Sequence, residues 1–278
     1  MSAREFTSAE RARAREVART AARAAGSVLL EYYGRLDPTA IRTKSSERDL
    51  VSAADLAAEA CLVEVLRRAF PDHAIESEEA VRDADDDRPR WFLDPLDGTV
   101  NFVHGLPIFS VSVALYAPHP ASGVLQPEVG VVEVPLLGES FHAARGEGAY
   151  LGERRLSVSG TTELREAILA TGFPYRRNEL KHNNLANFNR FFLDVRGIRR
   201  FGSAAIDLAY VAAGRFDGYW ELHLSPHDLA AGVLLVREAG GVVSDCGGGQ
   251  AWLREGHLIA SNGALHAAIA ERVVYRDA

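Results

Sequence analysis

Apolar residues recur near the start of the chain at helical intervals, with Val17, Ala21, Ala24, Val28 and Tyr32 sharing one face. Thr7-Ser8-Ala9-Glu10 has the spacing of a capping box and opens this helix, and Gly34 and Pro38 end it. Residues 35–52 predict a short strand or loop. A second helix is expected from Asp55 to Phe70, burying Leu56, Val63, Leu66 and Phe70, with Pro71-Asp72 as its stop.

The period then changes. Residues 74–79 predict a short strand ending in Ser77-Glu78-Glu79. The polar run 83–90, containing Asp85-Asp86-Asp87, predicts a mobile loop; it lacks the spaced ligands and central glycine of an EF-hand. Phe109, Val111, Val113 and Leu115 alternate with Ser110, Ser112 and Ala114, the signature of a strand. Further strands are expected at 128–134 and 139–145, followed by a turn at Gly146-Glu147-Gly148. Beyond residue 150 the pattern predicts strands at 166–171, 198–201, 217–222, 242–243 and 258–260. Helices are expected at 180–193, 204–213 and 228–239, with a last one from Ala264. Together these predict a layered α/β fold with mixed sheets, one domain over 1–278 built as halves 1–150 and 151–278.

At 278 residues and 47% hydrophobic the chain can bury a substantial core. A formal net charge of -7 argues against a general nucleic-acid binder. It also allows part of the acidic excess to be metal ligands. Cys61 and Cys246, the only cysteines, form neither a disulfide framework nor a zinc cluster. The N-terminus lacks the apolar core of a secretory signal and no run is apolar enough to span a bilayer, so the expected location is the cytoplasm, away from membranes.

Trp91-Phe92-Leu93-Asp94-Pro95-Leu96-Asp97-Gly98-Thr99 carries the candidate chemistry. An apolar strand stops at Asp94, and Pro95 favours a tight turn that brings Asp94 and Asp97 together. Gly98 and Thr99 can offer backbone N–H groups and a hydroxyl to an anion. An ordinary Asp-Pro, Asp-Gly surface turn accounts for the same residues. Other acids stand at element ends: Glu78 and Glu79 after a strand, Asp55 and Asp228 at helix starts, where either can simply cap. Hard divalent cations require such oxygen ligands from separate segments.

The sequence resembles the inositol monophosphatase family of lithium-sensitive, magnesium-dependent phosphatases, its bacterial members above all. Residues 91–102 match the first signature of that family; Asp228-Leu229-Ala230-Ala231-Gly232 and Arg237-Glu238-Ala239-Gly240-Gly241 match the second. Residues 49–55, Ser77-Glu78-Glu79, 202–210 and Gly218-Tyr219-Trp220-Glu221 match in order and spacing between and before them. The resemblance spans residues 8 to 272 and implies an α-β-α-β-α sandwich of the sugar-phosphatase type.

It further implies that Glu78, Asp94 and the Leu96 carbonyl hold one Mg²⁺, and Asp94, Asp97 and Asp228 a second, with a third, weaker ion near Glu78. Glu78, Thr99 and Asp55 would be the catalytic groups. Gly98, Thr99, Gly202, Ala204, Glu221 and Asp228 would bind substrate, Glu221 taking ring hydroxyls, although a surface Glu at a strand end accounts for it too. Lys44 aligns with a family lysine near the outer metal. The implied substrate is inositol 1-phosphate or a similar polyol monophosphate. Fructose-1,6-bisphosphate, 3′-phosphoadenosine 5′-phosphate and histidinol phosphate are the rivals, and a regulatory protein retaining the fold is the non-enzymatic alternative. The family is commonly homodimeric. One departure is His227, where the family usually has Trp. His223 and His227 have zinc-like spacing, but Pro226 interrupts it and the surrounding acids favour a hard cation.

Overall fold

The computed structural model describes residues 4–36, 41–44, 50–84 and 86–275. Helix α1 (Ser8–Tyr32) begins with the expected capping box: the Thr7 hydroxyl accepts from the Glu10 amide, and the Glu10 carboxylate accepts from the Thr7 amide. Its buried seam is Ala14, Ala18, Ala21, Ala22, Ala25 and Leu29. Val17, Ala24, Val28 and Tyr32 lie beside that seam, half-buried. Small side chains permit a close approach to helix α2 (Ala53–Ala69), so the alanines take the contact line and larger residues flank it.

Helix α2 buries Ala54, Ala58, Leu62 and Leu66, one row at four-residue steps. Leu56, expected inside, is 51% exposed because two residues on from Ala54 is nearly the opposite side of a helix. Val63 and Phe70 are half-buried. Before α2, strands β1 (Arg42–Thr43) and β2 (Leu50–Val51) pair antiparallel. Asp49, part of one motif quoted above, lies outside the described residues.

The larger sheet contains β3 (Ala74–Ser77), β4 (Arg90–Asp97), β5 (Ser110–Pro118), β6 (Leu125–Val134), β7 (Glu139–Ala144), β8 (Gly148–Leu151) and β9 (Arg154–Arg155), side by side in chain order. Only the β3–β4 pair is parallel. Helix α3 (Thr99–Val103) interrupts the run after β4. Alternation sorts the strands' two faces: Trp91, Leu93, Val113 and Val131 pack on α1 and α2, while Phe92, Ala114, Tyr116 and Val132 face inward. In the polar run 83–90, Asp83 pairs with Arg67 at 2.7 Å; Asp85 lies outside the described residues.

The second sheet contains β10 (Ile168–Thr171), β11 (Gly197–Arg199), β12 (Gly218–Glu221), β13 (Val242–Ser244) and β14 (Leu258–Ser261), in the order β11-β10-β12-β14-β13. Strands β11 and β12 flank β10 in parallel, and β14 runs antiparallel to both its neighbours. Helix α4 (Leu185–Phe191) precedes β11 in the chain. Helices α5 (Ala204–Ala212) and α6 (Pro226–Glu238) lie between the two sheets, where Ile206, Leu208, Leu234 and Leu235 meet Phe92 and Val132 on one side and Tyr219 and Ala260 on the other. Helix α7 (Trp252–Glu255) sends Trp252 into that layer. Helix α8 (His266–Ala270) and Phe191 of α4 cover the outer face at Leu169, Trp220 and Ile259. The result is the expected α-β-α-β-α sandwich.

The helix expected at 180–193 forms only at α4. Asn184 enters it at φ 74° with its side chain committed elsewhere: Nδ2 donates to the Gly172 carbonyl at 2.6 Å, and Oδ1 accepts from Trp220 Nε1 at 2.8 Å. A residue tied to β10 and β12 in this way cannot continue a helix upstream. No helix among the described residues is long and apolar enough to cross a membrane.

Candidate active site

Strand β4 does not stop at Asp94; it runs through Pro95 to Asp97. Asp94 faces Ser112 and Asp97 faces Ser110, so β4 uses three residue steps where β5 uses two. Residues three apart on a regular strand would point to opposite faces. The bulge restores both carboxylates to one side, which replaces the expected tight turn as the device that brings them together. Leu96 donates its amide to Asp94 Oδ1 at 3.0 Å, and its carbonyl accepts from Thr99 Oγ1 at 3.0 Å. Gly98 sits at φ 98°, where an added Cβ would lie 3.0 Å from the Ile108 carbonyl, so the turn into α3 requires glycine.

The remaining acids arrive from other layers. Asp228 occupies the first turn of α6, accepting from the Ser225 amide at 2.6 Å. Asp97 Oδ2 is held at the start of α5 by Ser203 Oγ at 2.6 Å and the Ala205 amide at 2.8 Å. Asp94, Asp97 and Asp228 each place one oxygen within 4.8 Å of the others. Glu78 is outside that trio but borders it, its side chain hydrogen-bonded to Asp94. Lys44 Nζ spans Glu78 at 2.8 Å and Glu79 at 2.5 Å. Asp55 divides its two oxygens: Oδ2 caps α2 through the Ser52 amide at 2.8 Å, while Oδ1 accepts from Thr99 Oγ1 at 3.2 Å. Capping and a place beside Thr99 are therefore compatible.

Lys44, Glu78, Asp94, Asp97, Thr99 and Asp228 line a cleft of 380 Å³ together with Tyr175, Arg176, His223 and His227, while Asp55 and Glu79 stand behind its wall. A 90 Å³ recess shares Asp97, Tyr175, His223 and Asp228 with it and adds Gly172, Gly202, Ala204, Asp207 and Glu221. Burial, reinforced by the charges of Glu78, Asp97 and Asp228, raises Asp94 well above the usual carboxylate range. Burial and Asp228 push Asp97 up to about 7 against its bonds to Ser203 and Ala205. Burial likewise takes Glu221 to about 7, opposed by the hydrogen bond from Tyr219 Oη at 2.5 Å.

Converging buried acids from separate layers suit a hard divalent ion, and oxygen donors of this kind match Mg²⁺. A His223–His227 zinc pair does not form on one helical face. His223 precedes α6 at φ 63° and its Nε2 lies 2.9 Å from the His182 carbonyl. His227 Nε2 stands 3.9 Å from Asp228 Oδ1.

Several residues in or beside this region had no role assigned from sequence, although Ser203 and Asp207 lie in the matched segment 202–210. Ser203 could have been found as a helix N-cap before Ala204-Ala205. Asp207 is signalled by being the one charged residue in an otherwise apolar helix. Gly172 carries no local signal; a Cβ there would overlap the Glu221 carboxylate.

The sequence profile of the inositol monophosphatase family matches residues 10–277. The chain belongs to the inositol monophosphatase family. Among relatives, Nus factor SuhB of Pasteurella multocida is 45% identical over 246 residues, covering 88% of this chain and 90% of that one. The inositol-1-monophosphatase of Synechocystis sp. is 42% identical over 254 residues, covering 90% and 85%. The solved inositol monophosphatase of Anabaena (Nostoc) sp. superposes with a TM-score of 0.82 at 40% identity, covering 93% of this chain and 94% of that structure. The inositol monophosphatase fold is thus shared along nearly the whole chain.

Proposed function

We propose that this inositol monophosphatase family member is a magnesium-dependent phosphomonoester hydrolase acting on inositol 1-phosphate or a similar polyol monophosphate. The observation that carries the reading is the convergence of Asp94, Asp97 and Asp228, two of which also line the recess that holds Glu221. In this reading Asp94, Asp97 and Asp228, with Glu78 and the Leu96 carbonyl, hold two Mg²⁺ ions, and Glu78 borders a third. Bound magnesium neutralises the phosphate charge and makes water a stronger nucleophile near neutral pH.

The chain's own groups do the rest. Thr99 Oγ1, fixed between Leu96 and Asp55, accepts from the attacking water, and Glu78 takes its proton. The amides of Gly98 and Thr99 receive phosphate oxygens. Gly202 and Ala204 leave room for a ring, and Glu221 accepts from its hydroxyls. No nucleophilic side chain is required, so hydrolysis proceeds in one displacement with inversion at phosphorus.

Glu221 in the recess suits a hydroxyl-rich ring, which favours a polyol over a nucleotide or histidinol phosphate, and a sugar bisphosphate is the nearest rival. Exposed Leu185, Phe192 and Leu193 in and just after α4 support a homodimer. A cytoplasmic location and freedom from membranes and nucleic acid accord with the acidic composition. The name Nus factor SuhB, carried by relatives 42–46% identical, favours a second reading in which the fold serves a regulatory role.

Phosphate release from inositol 1-phosphate, fructose 1,6-bisphosphate, 3′-phosphoadenosine 5′-phosphate and histidinol phosphate, with and without magnesium and lithium, separates these readings. Magnesium-dependent, lithium-inhibited turnover of inositol 1-phosphate is expected. Absence of turnover on all four overturns the enzymatic reading.

A further inference from the structure

Asp207 lies in the middle of α5, where its eight companions are uncharged. It is 1% exposed, and its Oδ1 has no hydrogen-bond partner among the described residues. A buried carboxyl in this condition is costly to the fold unless something outside the fold completes it. It is not enclosed by core alone: Asp207 lines the same recess as Glu221, Gly172, Gly202 and Ala204. Glu221 already receives the Tyr219 hydroxyl, so that phenol is spent on the neighbouring acid. Gly172, Gly202 and Ala204 leave space for a compact ring there, beside the larger Phe173, Tyr175, Arg200 and His223.

We propose that Asp207 is a second hydroxyl-binding residue of the recess, taking a ring hydroxyl next to the one taken by Glu221. This rests on the phosphatase reading and narrows its substrate to polyol phosphates carrying two neighbouring hydroxyls. One acid on such a diol can accept while the other donates, an arrangement that a single carboxylate cannot provide. Burial, with Glu221 facing it, raises Asp207 and fits it for the donor role. A phosphate ester without a diol, such as p-nitrophenyl phosphate, makes no use of Asp207 even though it shares the cleft.

Steady-state kinetics on inositol 1-phosphate and p-nitrophenyl phosphate test this with Asp207→Ala and Asp207→Asn, once circular dichroism shows both variants folded. Asp207→Ala is expected to raise KM for inositol 1-phosphate about tenfold or more, with KM for p-nitrophenyl phosphate within about twofold of wild type. Asp207→Asn, which keeps both a donor and an acceptor, should recover most of the loss. Equal changes on both esters, or none on inositol 1-phosphate, overturn the role. If the wild type cleaves neither ester, the phosphatase reading falls separately, and calorimetric titration with inositol 1-phosphate and magnesium decides the contact. Weaker binding by Asp207→Ala then supports it; equal binding, or none by the wild type, overturns it.

Discussion

Ser203 donates to Asp97 Oδ2 at 2.6 Å while its hydroxyl also caps α5, accepting from the Ile206 amide at 3.3 Å. One side chain therefore joins the start of a central helix to a carboxylate on the larger sheet. Asp97 thus sits where the N–H groups of α5 favour negative charge, although burial still dominates it.

Removing that hydroxyl should affect stability and ion binding together. Ser203→Ala is expected to cost about 1 kcal/mol in urea denaturation, from the lost cap. It should also weaken magnesium binding about threefold or more, because Asp97 loses a bond that favours its charged form. Calorimetry that showed unchanged magnesium affinity would remove Ser203 from the support of the site.

Asp94 is the acid most enclosed by the others, so its charge matters most to the proposed ions. Asp94→Asn should lower kcat on inositol 1-phosphate about a thousandfold or more while relieving repulsion among the acids. The metal-free variant should therefore melt no lower than wild type. A rate close to wild type would refute the role of Asp94 as a metal ligand.

Glu221 and Gly172 form a second testable pair. Glu221→Gln should impair polyol phosphates far more than p-nitrophenyl phosphate. Gly172→Ala should reproduce that selectivity without touching a charge, because its new methyl occupies the space of the Glu221 carboxylate. Equal losses on both substrates would take Glu221 out of recognition.

Magnesium binding should depend on pH in a definite direction. With Asp97 raised to about 7 and Asp94 raised well above the usual range, the metal-free protein holds protons that a bound cation must displace. Apparent affinity should therefore increase as pH rises through about 7, with proton release greatest below it. Titration in two buffers of different ionisation enthalpy counts those protons. An affinity independent of pH across this range would contradict the shared burial of the trio.

His73 predicts an acid sensitivity far from the cleft. Its Nδ1 accepts from Trp91 Nε1 at 3.1 Å, which requires the neutral form, and its ring stacks on Phe70 at 4.8 Å. Burial lowers it to about 4, with Asp72 opposing. Because the folded value is depressed, the unfolded chain binds the extra proton below about 6.5. This contribution is complete above about 6.5 and is lost as pH falls toward 4. The drop in urea midpoint between neutral pH and about pH 5 should shrink in His73→Phe.

Much of this architecture was legible in residue order. The capping box at Thr7, the alternation from Phe109 to Leu115 and the paired signatures around Asp94 and Asp228 each state a local preference. Local preference does not say which of two helical faces is pressed on a neighbour. Leu56 was misplaced because alanine rows set the α1–α2 contact, a choice made by distance between helices. The helix expected from residue 180 was shortened because Asn184 found partners on Gly172 and Trp220, strands distant in the chain.

Residue types and spacings by themselves determined that this chain builds alternating layers and carries acids in family-like positions. Only the folded arrangement decided that a bulge turns Asp94 and Asp97 to one side, that Ser203 reaches across to Asp97, and that Asp207 opens into the recess beside Glu221. The physical reason is that periodicity acts between near neighbours, whereas convergence of charge is settled by packing between layers whose residues are up to a hundred or more positions apart.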